Sequence, residues 1–257
     1  MSRGAATLPL DRIRALIFDM DGVITNTATA HAAAWKRLFD EFLHAHAART
    51  GEPFEPFDID SDYRRYVDGK PRYDGVRSFL EARGIELPWG DPADPPARET
   101  ICGLGNRKNT YFLEHLRAYG AKAYPSTVAL VREARARGAG TAAISASKNM
   151  SEVLRAAGVA DLFDVTVDGV VADQLGLPGK PDPAVFQEAA RRLHVDPSRA
   201  AVFEDALAGV EAGRRGGFGL VIGLDRAGHA DALLAAGADL VVPDLAELEL
   251  VDPRTPR

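Results

Sequence analysis

Short apolar runs at 140–145, 164–167, 200–203, 219–222 and 239–242 alternate with helical patterns at 126–137, 148–157, 183–193, 207–215 and 229–236. This alternation constrains the fold more than any other feature of the chain. Each run is partly β-branched, most meet an Asp, Ser or Gly at an end, and several helical stretches stop at a glycine. Strand and helix in strict turn predict a doubly wound parallel α/β sheet, in which ligands bind beyond the carboxyl ends of the strands. Pro183, with Asp182 before it as N-cap, marks one helix start.

An earlier run at 15–18 closes on Asp19, yet the next core strand comes only near Gly140, far beyond the dozen or so residues a crossover needs. The gap reads as a second, helical domain. Helices are expected at 29–48 (Ala32, Trp35, Leu38, Phe39 and Phe42 on one face), 73–83 and 107–118. The stretch 84–97, with four of the 16 prolines, is expected as a loop. The resulting division is 1–28 with 119–257 as the α/β core and 29–118 as the helical insertion. The terminal VDPRTPR is expected to be frayed.

Composition narrows the partners. The chain has 31 basic and 37 acidic side chains, a net charge of -6, which disfavours nucleic acid. Cys102 is the single cysteine, so no internal disulfide or CxxC site forms. Without a signal-like start or an 18-residue apolar window, the expectation is a cytoplasmic protein that engages no membrane.

Asp19-Met20-Asp21-Gly22 closes the first strand, and residues two apart in an extended chain face the same side. Two readings stand: paired carboxylates working in the crevice, or plain turn chemistry at Asp21-Gly22. Glu204-Asp205 follows the 200–203 run in the same way, either as helix N-terminal charges or as the other half of a cation site. Four hard oxygen donors with no His or Cys among them suit Mg²⁺. Lys180, one of only six lysines, is either a solvated loop residue or a neutraliser of a phosphate or of crowded aspartates. Ser145, before Ala146-Ser147-Lys148-Asn149, is a helix cap or a phosphate ligand. No GxSxG or HExxH occurs.

In their order, Asp19-Met20-Asp21-Gly22-Val23-Ile24-Thr25, Ser145, Lys180 and Glu204-Asp205 resemble the four motifs of the haloacid dehalogenase superfamily. The likeness is nearer to its β-phosphoglucomutase group, through IFDMDGVITNTATAHAAAW, GKPRYDGVRSFL, NRKN, SASKN, GKPDPAVF and FEDALAGV. It spans nearly the whole chain and implies a cap domain over a Rossmann-like core. By this resemblance Asp19 is the nucleophile, Asp21 the general acid/base, and Ser145 and Lys180 hold the transferring phosphoryl group. Mg²⁺ is expected on Asp19, the Asp21 carbonyl, Glu204 and Asp205.

The resemblance also implies a substrate set of Thr27, His31, Trp35, Gly69, Arg72, Lys108, Asn109, Ala146, Ser147, Lys148 and Asn149. Among these, Thr27 is a hinge residue, His31 helps position Asp21, and Arg72 meets the distal phosphate. The implied activity is a Mg²⁺-dependent mutase that interconverts β-glucose 1-phosphate and glucose 6-phosphate through a phosphoaspartate and a sugar bisphosphate. The alternatives are a sugar-phosphate phosphatase, when water reaches the site, and a non-catalytic phosphosugar-binding protein, which the full set of motif residues opposes. A monomer is expected. The stretch 41–68 is longer than in compact members of the group, Asn26 stands for an Asp, and Ala206 stands for a Ser.

Overall fold

The computed structural model describes residues 6–226 and 228–252. The chain divides into two compact units, one built from residues up to Asn26 together with those from Lys122 onward, the other Thr27–Ala121. The division starts two residues before the expected 29–118 because helix α1 (Ala28–Thr50) already takes Thr27 as its N-cap, and it ends three residues beyond it. At the other end, helix α3 (Ile101–Tyr119) runs to Gly120, whose φ of 69° stops it.

The first unit is a parallel sheet of β2 (Ala15–Asp19), β3 (Gly140–Ile144), β4 (Val165–Val167), β5 (Ala200–Glu204), β6 (Leu220–Leu224) and β7 (Leu240–Val242). The strand order is β4-β3-β2-β5-β6-β7. Every residue of β2 and β5 is buried, as central strands covered on both faces require. Ile17, Ile144 and Val202 pack one face against Phe186, Val210 and Leu233. These three come from helices α7 (Ala184–Arg192), α8 (Leu207–Arg215) and α9 (Ala230–Ala236). On adjacent strands Phe18 stacks on Phe203 at 4.3 Å. The register sets Asp19 beside Ile144 and Phe18 beside Phe203, so β3, β2 and β5 end side by side.

Most expected elements move by one or two residues. Helix α7 begins at Ala184, with Pro183 at the cap position, while Asp182 Oδ1 accepts from the Ala184 amide at 2.9 Å. Helices α4 (Pro125–Ala136) and α5 (Met150–Ala156) fall inside or beside their expected spans. Helix α6 (Gly169–Leu175) is additional: Asp168 caps it by accepting from the Val170 and Val171 amides. Also additional is a two-stranded parallel sheet joining β1 (Ala6–Pro9) to β8 (Leu248–Val251). The expected fraying is therefore corrected at Val251, which pairs with Pro9; residues 253–257 lie outside the described residues.

In the second unit, α1 buries Trp35, Leu38, Phe39 and Phe42 against Phe79 and Leu80 of α2 (Arg72–Ala82) and Leu104 of α3. The long 41–68 stretch is tied into this core. Phe57 is buried in it, its amide donates to Asp40 at 2.8 Å, and its carbonyl accepts from Lys36 at 3.0 Å. Helix α3 starts six residues before the expected 107 because its glycines mark close packing rather than a loop. A Cβ on Gly105 would lie 2.6 Å from the Tyr73 ring, and Thr100 caps the helix by accepting from the Gly103 amide at 2.9 Å. The proline-rich 84–97 stretch is non-helical, as expected. No described helix is long and apolar enough to cross a membrane.

Candidate active site

Adjacent strand ends in the first unit bring the expected charged groups together. Asp19 closes β2 and Glu204 closes β5, both buried, and Lys180 from the loop before α7 donates to both. The Lys180 ammonium lies 2.5 Å from Asp19 Oδ1 and is itself only 5% exposed. Burial opposes its charge, but Asp19 and then Glu204 outweigh burial and hold the amine protonated. Burial pushes the Asp19 carboxyl well above the usual carboxylate range, with Lys180 pulling it back and Glu204 and Asp21 adding to the rise. Asp19 Oδ2 accepts from the Asp21 amide at 3.0 Å, which fixes the turn that leaves the strand.

One oxygen each from Asp19, Glu204 and Asp205 lies within 4.8 Å of the other two. Such a cluster of hard oxygen donors fits a divalent cation of the Mg²⁺ kind. Two glycines make room for the acids. Gly22 has φ of +87°, and a Cβ there would fall 2.5 Å from Asp205 Cγ. On α8, a Cβ at Gly209 would land inside the Glu204 carboxylate, 2.6 Å from even the more distant oxygen. The Gly22 turn is braced from two sides: its amide donates to the Thr25 carbonyl at 2.8 Å, and its carbonyl accepts from Arg226 Nε at 2.8 Å. The Arg226 guanidinium also lies 3.6 Å over the Tyr124 ring.

Ser145 follows β3 and is 2% exposed. Its hydroxyl accepts from the Ser147 amide at 3.0 Å, and the Ser147 hydroxyl accepts from the Asn149 amide at 3.1 Å. These consecutive side-chain turns shape Ser145-Ala146-Ser147-Lys148-Asn149 into a compact loop. It packs on Gly169, where a Cβ would be 2.6 Å from the Ala146 carbonyl oxygen. Lys148 pairs with Asp173 of α6. Asp19, Asp21, Ser145–Asn149, Lys180, Glu204 and Asp205 thus all belong to this unit.

Thr27, His31, Trp35, Gly69, Arg72, Lys108 and Asn109 belong to the helical unit. Thr27 is 2% exposed at the start of α1, and Gly69 turns the chain with φ of 69° before α2. Trp35 is part of the unit's apolar core. Lys108 Nζ stands 5.0 Å over its ring and 2.5 Å from His31 Nδ1. The His31 ring is itself stacked on Phe112 at 4.0 Å. Arg72 opens α2, half-buried, and among the described residues of this unit no carboxylate pairs with it. Its stem passes 3.3 Å from a Cβ built on Gly105. Gly105, Lys108 and Asn109 are spaced i, i+3 and i+4 along α3, so Arg72 lies against the face of α3 that carries Lys108 and Asn109.

Gly209, Gly169 and Arg226 were not among the residues the motifs singled out. A glycine inside a helical pattern signals close approach, so Gly209 was findable in FEDALAGV. Arg226 had no such signal, because its partner Gly22 is 204 residues away.

A model of the haloacid dehalogenase-like hydrolase family matches residues 13–217, and the chain belongs to that family. Within it the chain is a β-phosphoglucomutase-like enzyme. It is 49% identical over 241 residues to a β-phosphoglucomutase of Mycobacterium tuberculosis (93% of this chain, 92% of the other). It is 31% identical to validoxylamine A 7'-phosphate phosphatase of Streptomyces hygroscopicus subsp. limoneus (90% and 94%). Among solved structures it is similar to β-phosphoglucomutase from Clostridium difficile, with a TM-score of 0.71, 27% identity, and coverage of 92% and 93%.

Proposed function

We propose that the enzyme is a Mg²⁺-dependent phosphomutase interconverting β-glucose 1-phosphate and glucose 6-phosphate through a phosphoaspartate at Asp19 and a sugar bisphosphate. The observation that carries this is the second basic cluster. Besides the Lys180 site, the helical unit holds Arg72, which pairs with no carboxylate among the described residues of that unit, against the α3 face that carries Lys108, and a bisphosphate needs a receptor for each phosphate.

In the transfer, a carboxylate oxygen of Asp19 bonds to phosphorus while the ester bond to the sugar oxygen breaks, and Asp21 delivers its proton to that oxygen. Cleaved in this way at C1, the bisphosphate leaves as glucose 6-phosphate; Asp21 then takes the proton of the 6-hydroxyl of an incoming β-glucose 1-phosphate as that oxygen attacks the phosphoaspartate, which re-forms the bisphosphate and releases the Asp19 carboxylate. Lys180 and Ser145 offset the charge of the moving phosphoryl group. Asp19, Glu204, Asp205 and the Asp21 carbonyl would hold Mg²⁺, which supplies charge neutralisation on the phosphoryl oxygens.

The similarity to validoxylamine A 7'-phosphate phosphatase supports a second reading, a sugar-phosphate phosphatase in which water takes the phosphoryl group. One reaction separates the two. The protein is incubated with Mg²⁺, β-glucose 1-phosphate and a trace of β-glucose 1,6-bisphosphate while glucose 6-phosphate and free phosphate are followed together. Glucose 6-phosphate with little free phosphate is expected; free phosphate alone establishes the phosphatase and refutes the mutase.

A further inference from the structure

Tyr73 follows Arg72 in α2 and is bound into the helical unit by a chain of contacts that belongs to no motif. Its ring lies on the backbone of α3 where Gly105 lacks a Cβ, the same bare spot that receives the Arg72 stem. Its hydroxyl donates to Asn106 Oδ1 at 2.9 Å, and the Asn106 amide donates to the carbonyls of Pro92 at 3.0 Å and Asp94 at 2.9 Å.

Those carbonyls belong to a strap that is itself anchored. The Asp94 carboxylate is buried and accepts from Thr100 Oγ1 at 2.7 Å, Arg98 at 2.7 Å and the Asp91 amide at 3.1 Å. The Trp89 ring meets the edge of the Tyr73 ring at 6.2 Å. At the other end of this chain, the Arg72 guanidinium sits 5.1 Å from the Tyr73 ring centroid.

A free arginine side chain samples many rotamers, and fixing it on binding costs entropy. Arg72 has no carboxylate to fix it among the described residues of its unit, so the Tyr73 ring and the bare α3 surface are what hold it. We propose that Tyr73 is a positioning residue. Anchored through Asn106 to the 88–100 strap, it sets the Arg72 guanidinium in advance for the distal phosphate monoester of a sugar bisphosphate. The inference rests on the assignment of Arg72 to that phosphate made above.

The test is a double-mutant cycle of Tyr73→Phe and Arg72→Ala, read as kcat and KM for β-glucose 1,6-bisphosphate in the holoenzyme, with thermal unfolding as a folding check. Removing the hydroxyl is expected to raise KM about fivefold with kcat unchanged, the size of one net hydrogen bond. Arg72→Ala is expected to raise KM on the order of thirtyfold. With Arg72 absent, Tyr73→Phe is expected to add nothing, and hydrolysis of p-nitrophenyl phosphate, which has no distal phosphate, is expected to be unchanged by it.

If Arg72→Ala raises KM but Tyr73→Phe does not, or if the two effects simply multiply, Tyr73 does not act through Arg72 and the inference fails alone. If Arg72→Ala leaves KM unchanged, the assignment of Arg72 fails and takes the inference with it.

Discussion

Gly209→Ala isolates the contact between α8 and the buried acid of β5, because the same helix supplies its own control. Gly209 and Gly213 are one turn apart on α8, and replacing either by alanine favours the helix by up to about 1 kcal/mol. Their surroundings differ. A Cβ at Gly213 meets Val221 at 3.2 Å and Val202 at 3.3 Å, contacts that two valines relieve by shifting a few tenths of an ångström. A Cβ at Gly209 lands on the Glu204 carboxylate, which must retreat by about 1.5 Å to restore ordinary contact.

That retreat breaks the hydrogen bonds to Lys180 and to the Ala206 amide. Charged hydrogen bonds of this kind contribute about 1.5–3 kcal/mol and overpacking costs about 1–3 kcal/mol, so after a helix gain of about 1 kcal/mol the net loss is about 1.5–5 kcal/mol. Gly213→Ala is expected to stay within about 1 kcal/mol of the parent. Urea unfolding of both variants measures this difference. Steady-state turnover is expected to fall on the order of a hundredfold in Gly209→Ala alone, since a displaced carboxylate misplaces the site by more than 1 Å. Equal stability and equal activity in the two variants would refute the close packing of Gly209 on Glu204.

Lys180→Met leaves Asp19 and Glu204 buried without their shared cation, and is expected to cost about 3–5 kcal/mol in chemical unfolding and to abolish phosphoryl transfer. An unchanged unfolding midpoint would show that the two carboxylates do not depend on it. Glu188, held down to about 2 by hydrogen bonds first from Arg191 and then from Arg192, gives a pH test. Its folded value lies below its ordinary 4.5, so its stabilisation is complete above about 4.5 and is lost as pH falls toward about 2. The stability gap between the parent and Glu188→Gln should therefore close across that window. A gap independent of pH would remove the assignment.

Local pattern made the sheet legible. The 15–18 and 200–203 runs became β2 and β5, each extended by its terminal acid, because a central strand buried on both faces must be apolar throughout. The acids at those ends were visible for the complementary reason, that charge at the end of a buried run is costly unless it has a use. Elements held by distant partners were hidden. Ala6–Pro9 and Leu248–Val251 are too short and too ordinary to be read as strands until they pair across the length of the chain. Local pattern starts α3 six residues late because propensity counts Gly103 and Gly105 against a helix, whereas packing on Tyr73 requires Gly105 to be bare.

The sequence by itself determined the alternation of strands and helices, the place of the helical insertion and the identity of the chemical groups, since these follow from periodicity and residue type along short stretches of chain. Tertiary structure alone decided how those groups are used. It brought Lys180 to Asp19 across 161 residues, laid Gly209 against Glu204, braced the Gly22 carbonyl with Arg226, and left Arg72 beside Tyr73 with no carboxylate paired to it among the described residues of its unit. Such pairings depend on strand order and register, and a buried charge finds its partner only once the sheet has set which strand ends lie side by side.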